Sequence, residues 1–151
     1  MATRAPTFME LALDQAKLAA ERGEVPVGAV IVQNSAVIAT SGNVTVEKHD
    51  PTGHAEIEVI RQACKLLESQ RLPDCDLYVT LEPCTMCAAA ISYARIRRLY
   101  FAAEDAKGGG VVNGVRFFNQ ATCHHAPEVY AGMCEQEASN LLTSFFADKR
   151  P

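Results

Sequence analysis

The chain has no apolar run approaching the length of a membrane-spanning helix, and its first residues lack the basic flank and apolar core of a secretion signal. A helical membrane protein is therefore not expected, and the setting is read as reducing and cytoplasmic, where six cysteines need not form three disulfides. An excess of positive charge is also missing, since 14 Lys plus Arg stand against 18 Asp plus Glu, a net charge of -4. That balance argues against strong nonspecific binding to nucleic acid, so any such contact has to come from a local patch. Nothing in the composition marks disorder or a second domain: 151 residues with 48% hydrophobic and 21% charged residues suit one globular domain, taken as residues 1–151. Cys64, Cys75, Cys123 and Cys134 have no partner spacing and read as small packing residues.

What is present is an alternation of helical and strand periodicities. Thr7 and Glu10 form a capping box, Phe8, Leu11, Ala12, Ala16 and Ala19 recur at helical spacing, and Gly23 supplies a stop, which predicts a helix from about Phe8 to Arg22. Val25 to Val32 and Ala36 to Ser41 are β-rich runs joined at Gln33-Asn34-Ser35, the pattern of a hairpin. A helix with Ile57, Ile60, Ala63, Cys64 and Leu67 on one face follows, then a strand from Leu77 to Leu81, a small apolar helix from Cys84 to Ala94 and a strand from Arg98 to Ala102. After glycines at 108 to 110, a strand near Val129 to Met133 precedes a helix carrying Ala138, Leu141, Leu142, Phe145 and Phe146. This order implies an α/β chain whose mixed sheet is covered by helices on both faces.

Two short segments carry chemistry: His54-Ala55-Glu56 and Pro83-Cys84-Thr85-Met86-Cys87. Cys84 and Cys87 project from neighbouring points of one helix face and can chelate a single ion. Pro51-Thr52-Gly53 breaks the chain just before an apolar periodic run, placing His54 at a helix entrance and Glu56 in the first turn. Unpaired N–H groups and the positive dipole end at the two helix starts favour the thiolates that zinc needs. A structural zinc closes its tetrahedron with four protein ligands, whereas a catalytic zinc keeps one position open for water. His54, Cys84 and Cys87 fit the open pattern, with Glu56 as the proton-carrying carboxylate. A CxxC pair alone also fits a redox pair, half of a zinc ribbon or two core cysteines. Cys123, His124 or His125 could supply a fourth ligand, which would make the protein a non-enzymatic, zinc-stabilised binding domain with Glu56 merely favouring a helix dipole.

These two segments, with Glu24-Val25-Pro26-Val27-Gly28-Ala29, Asn43, His49-Asp50-Pro51-Thr52 and Thr80-Leu81-Glu82-Pro83, resemble the zinc-dependent nucleobase deaminases, and within them most of all the bacterial tRNA-specific adenosine deaminases. The resemblance covers nearly the whole chain and is strongest between Glu24 and Lys107. It implies a three-layer α/β/α cytidine-deaminase-like fold with a central mixed five-stranded sheet, one Zn2+ per subunit on His54, Cys84 and Cys87, and Glu56 as the catalytic acid–base. It further implies that Asn43 hydrogen-bonds the target base, that Val27 lines its pocket and that the Ala55 amide helps place it, in a cytoplasmic homodimer acting on a tRNA anticodon stem-loop. Taken alone, Asn43 reads equally well as a turn residue after Gly42, and Val27 as an ordinary strand residue. Arg95, Arg97, Arg98, Lys107, Arg116, Lys149 and Arg150 could form the local basic patch, or simply a solvated surface. The chain departs from the family pattern at Gly53, where alanine is usual, in the glycine-rich stretch from Gly108 to Val112, in the segment Val115 to His125, and at Asp148. These departures touch specificity regions, which keeps a deaminase of a free base or nucleoside, guanine or cytosine in type, as the alternative.

Overall fold

The capping box at Thr7 forms as expected: Glu10 N–H donates to Thr7 Oγ1 at 3.2 Å, and Thr7 N–H donates to Glu10 Oε1 at 2.8 Å. From it helix α1 runs Phe8–Glu21 and ends at Gly23, whose φ of +84° lets Glu24 N–H reach back to Ala19 O at 2.9 Å. The computed structural model describes residues 5–149. Strands β1 (Gly28–Gln33) and β2 (Ala36–Gly42) pair antiparallel around a two-residue turn, Asn34-Ser35, in which both residues have positive φ. Helix α2 (Ala55–Leu67), strand β3 (Cys75–Leu81), helix α3 (Thr85–Ala94) and strand β4 (Arg98–Ala103) follow. A single 3-10 turn, strand β5 (Glu128–Ala131) and helix α4 (Glu135–Lys149) complete the order.

The sheet order is β2-β1-β3-β4-β5, with β1 antiparallel to both neighbours and β3, β4 and β5 parallel. This is the mixed five-stranded sheet expected, and alternation along its strands divides the core in two. Ala29, Ile31, Leu77, Val79, Leu99 and Phe101 pack with α2 and α3 on one face. Val30, Val32 and Ala102 pack with Met9, Ala12 and Leu13 of α1 and Ala138 of α4 on the other. Helix α1 lies close to β1 because Gly28 has no side chain: a Cβ there would sit 2.0 Å from Ala12 O. Tyr78, Tyr100 and Tyr130 stack in sequence on that face, with centroids 4.3 and 5.0 Å apart, and Phe8 packs tilted on Tyr78 at 5.4 Å.

The largest difference from the sequence expectation is at β1, which begins three residues later than Val25. Pro26 has no N–H for a ladder, and Val27 N–H turns back to Val25 O at 2.8 Å, so Val25-Pro26-Val27 is a bent entry. Strand β5 is shorter than expected because Gly132 and Cys134, at φ +97° and +58°, turn the chain into α4. On α2 the stripe against the sheet is Ala55, Val59 and Ala63; Ile60, Cys64 and Leu67 flank it half-buried, and Ile57 turns towards a groove beside α3.

Candidate active site

The two chemistry-bearing segments meet because each caps a helix on the same face of the sheet. His54 is the N-cap of α2 and Cys84 the N-cap of α3, and neither makes a side-chain capping bond, so both side chains are free to turn outward. His54 Nδ1 lies 3.6 Å from Cys84 Sγ and 3.4 Å from Cys87 Sγ, and the three ligand atoms all lie within 4.8 Å of one another. An ion held tetrahedrally at about 2.1 Å from nitrogen and 2.3 Å from sulfur sets those N···S edges at about 3.6 Å, so the donor set fits such an ion.

The protonation pattern follows from that crowding. A bond from Cys87 and the adjacent His54 pull Cys84 down to about 4 against its burial, a thiolate at neutral pH. Cys87 is pushed up, first by Cys84 and then by burial, and His54 is raised by its bond to Cys84. The cluster therefore shares protons that an ion would displace, because metal ligands bind deprotonated. Glu56 is 4% exposed, and burial is the main cause that raises its carboxyl to about 7.

A cavity of about 280 Å³ opens onto the cluster, at the carboxyl ends of β3 and β4, where open α/β sheets bind ligands. Val27, Asn43, His54, Glu56 and Cys84 line it, together with Val25, Thr45, Leu81, Glu82, Asp105 and Gly108. Asn43 is fixed from three sides: its N–H donates to Val27 O at 3.0 Å, its O accepts from the Arg22 guanidinium at 3.2 Å, and its Oδ1 accepts from Ala55 N–H at 2.9 Å. Ala55 is buried and does not itself line the cavity; its N–H is taken up by Asn43. An alanine Cβ at Gly53 would come within 3.1 Å of Asp50 O and 3.3 Å of Thr45 N, a tight but small demand on the loop leading to His54.

Two parts of the sequence reading change. Cys123 donates to His125 O at 3.2 Å and lies 3.5 Å from Ser92 Oγ, while His125 Nε2 donates to Ile96 O at 2.7 Å. Those contacts are at the far end of α3, so this segment does not close the metal cluster. Within one subunit, Arg97 and Arg98 do not join Lys107 in one patch at the cavity mouth. Arg97 pairs with Asp76, and Arg98 with Asp76 and Glu128, at the start of β4, whereas Lys107 follows its end near the cavity. Arg150 lies outside the described residues.

Sequence reasoning assigned no role to Glu24 or Glu82, which are 1% and 2% exposed. Glu24 accepts from Thr45 Oγ1 and from the N–H groups of Val46 and Glu47. Glu82 accepts from the N–H groups of Asp105, Val111, Val112 and Asn113 and from the Asn113 amide. Their one sequence signal is an isolated carboxylate at the border of an apolar strand, just ahead of a proline.

Fold and donor cluster together are those of a deaminase of cytidine-deaminase-like fold. The MafB19-like deaminase pattern matches residues 5–150. A tRNA-specific adenosine deaminase of Agrobacterium fabrum is 64% identical over 143 residues, 95% of this chain and 94% of its own. A structure solved in studies of A-to-I editing by tRNA:A34 deaminases superposes with a TM-score of 0.89 at 65% identity, covering 89% of this chain and 98% of that one. A guanine deaminase from Bacillus subtilis superposes with a TM-score of 0.64 at 32% identity, covering 99% of both chains. The chain belongs to the MafB19-like deaminase family.

Proposed function

We propose that this chain is a hydrolytic zinc deaminase that converts adenosine to inosine at the wobble position of tRNA. The observation that carries the reading is the convergence of His54, Cys84, Cys87 and the buried Glu56 on one cavity, and its tRNA-specific adenosine deaminase relatives support the substrate. His54 Nδ1 and the sulfurs of Cys84 and Cys87 would hold one zinc per subunit, with the fourth position left for water. Bound there, zinc supplies a Lewis acid that lets a water lose its proton near neutral pH.

Glu56 takes that proton, and its burial makes it a strong enough base to hold it and an acid able to release it. Water adds through oxygen at C6 of adenine and Glu56 passes the first proton to the ring nitrogen; Glu56 then takes the remaining proton from the new C6 hydroxyl and gives it to the exocyclic amine, so the C6–N bond breaks, C6=O forms and ammonia leaves. Because Asn43 Oδ1 is held by Ala55 N–H, the Asn43 amide nitrogen is the group turned to donate to the base. Val27 closes the pocket beside it. The base would be flipped out of the anticodon loop to reach this depth.

The same reading has the whole chain acting as one deaminase domain in the cytoplasm, as a homodimer. No helix of the described residues is long and apolar enough to cross a membrane. The groove between α2 and α3, lined by Ile57, Ile60, Ala90, Ala94 and the exposed Tyr93 with Arg61 and Gln70, is mixed surface that a subunit interface would cover, which sedimentation can test. Catalysis is tested by incubating zinc-loaded protein separately with an anticodon stem-loop, adenosine, guanine and cytosine. Inosine from the stem-loop, with little turnover of the free compounds, is the expected result; turnover of guanine or cytosine alone would overturn it.

A further inference from the structure

The backbone of the glycine-rich stretch after β4 shows what that stretch does. Gly110 N–H donates to Pro83 O at 2.8 Å, and Gly109 bridges to Cys84, so the loop lies directly against the turn that carries a metal-cluster sulfur. The glycines make that approach possible. A Cβ on Gly109 would fall 2.4 Å from Glu82 Cδ, and one on Gly110 would fall 2.7 Å from Thr85 N. Inside this wrap sits the Glu82 carboxylate. Its Oε2 accepts from Val111, Val112 and Asn113 N–H at 3.0, 2.9 and 3.1 Å, and its Oε1 accepts from Asp105 N–H at 3.0 Å and Asn113 Nδ2 at 2.7 Å.

We infer that Glu82 is a positioning residue for the substrate: through these five bonds it fixes the Asp105–Gly108 wall of the cavity at a set distance from the Cys84 turn. The side chain is on the one strand end that adjoins both. Glu82 follows β3 and leads through Pro83 into Cys84, while Asp105 and Gly108 follow the neighbouring β4 and also line the opening. Asp105 relays the constraint, since its N–H is held by Glu82 and its Oδ1 accepts from Lys107 and Gly108 N–H at 3.1 and 2.9 Å. All five partners of Glu82 are donors, so only an acceptor on both oxygens satisfies them. An amide in its place puts an NH2 against either Asp105 N–H and Asn113 Nδ2 or the three backbone N–H groups. The wall then separates from the turn while the metal donors and Glu56 stay in place.

The inference rests on the deaminase reading above, and a test with wild-type protein run in parallel separates the two. Inosine formation from an anticodon stem-loop is measured for wild type, Glu82→Gln, Asn113→Ala and Asp76→Asn, with zinc content and melting temperature for each. Asp76 is the control, because it is a buried carboxylate paired with Arg97 at the opposite end of β3. Glu82→Gln is expected to raise KM about tenfold with kcat within about twofold and zinc retained, and Asn113→Ala to shift KM in the same direction by less. Asp76→Asn is expected to lower the melting temperature with KM unchanged. An unchanged KM in folded Glu82→Gln, whether with a lowered melting temperature like that of the control or with a fall in kcat alone, would overturn the positioning role. Should Glu82→Gln not fold, Asn113→Ala decides by the same split. No inosine from wild type would instead sink the substrate reading.

Discussion

Glu56 and Glu82 border the same cavity, both have little exposed surface, and their carboxyls are shifted in opposite directions. Glu56 is raised to about 7, chiefly by burial. Burial also pushes Glu82 up, but the Asp105 N–H, the Asn113 amide and the Val111 and Val112 N–H groups outweigh it and hold the carboxyl below its usual range. At Glu82 the donors aimed at the carboxylate outweigh its burial, whereas at Glu56 burial outweighs the few bonds that oppose it. One wall of the cavity is arranged for a charge that comes and goes, the other for a charge that stays.

Breaking the reactive wall should have the largest effect. Cys87→Ala removes a fully buried donor, and we expect zinc to be lost and activity to fall by more than the roughly 10–100-fold that an outer-shell partner costs; metal analysis and inosine yield check both. On the other wall, Glu82→Ala leaves the Val111 N–H buried and the Asp105, Val112 and Asn113 N–H groups without their acceptor. Denaturant melts should show a loss on the order of 3–5 kcal/mol. Gly110→Ala presses a methyl onto Thr85 backbone and should cost about 1–3 kcal/mol, whereas Gly53→Ala should stay within about 1 kcal/mol.

The smallest effect is one of pH, at the other rim. Burial raises the Glu24 carboxyl, but bonds from Glu47 and Val46 N–H and Thr45 Oγ1, with Arg22 nearby, bring it below its ordinary 4.5. A group lowered on folding stabilises above its unfolded value and loses that contribution as pH falls through its folded one. The stability gap between wild type and Glu24→Gln should therefore be full above pH 4.5 and shrink as the solution is acidified below it. A gap that is constant with pH in denaturant titrations would contradict the anion assigned to Glu24.

The order of elements along the chain and the two helical layers were legible because capping boxes, turn residues and hydrophobic periods are local signals; the strand order β2-β1-β3-β4-β5 was not. Thr7, Gly23 and Asn34-Ser35 act within a few residues of where they stand. The donor triad was legible for a similar reason, since His54 and Cys84 each open a helix and Cys87 lies in the next turn. Glu24 and Glu82 were not, because their partners are 21 to 31 residues away and are mostly backbone amides, which have no sequence identity. A single patch at the mouth within one subunit was misjudged for a related reason: Arg97 and Lys107 are near in sequence but lie beyond opposite ends of β4.

The most direct measurement is made on Glu56→Gln, which keeps the shape of the side chain and removes its proton chemistry. Zinc per subunit, melting temperature and single-turnover inosine formation from an anticodon stem-loop would be recorded beside wild type. The account predicts one zinc, an unchanged melt and a rate lower by about 10²–10⁴-fold. Zinc-loaded, folded Glu56→Gln that makes inosine near the wild-type rate would contradict the division of the cavity into a proton-carrying wall and a fixed one.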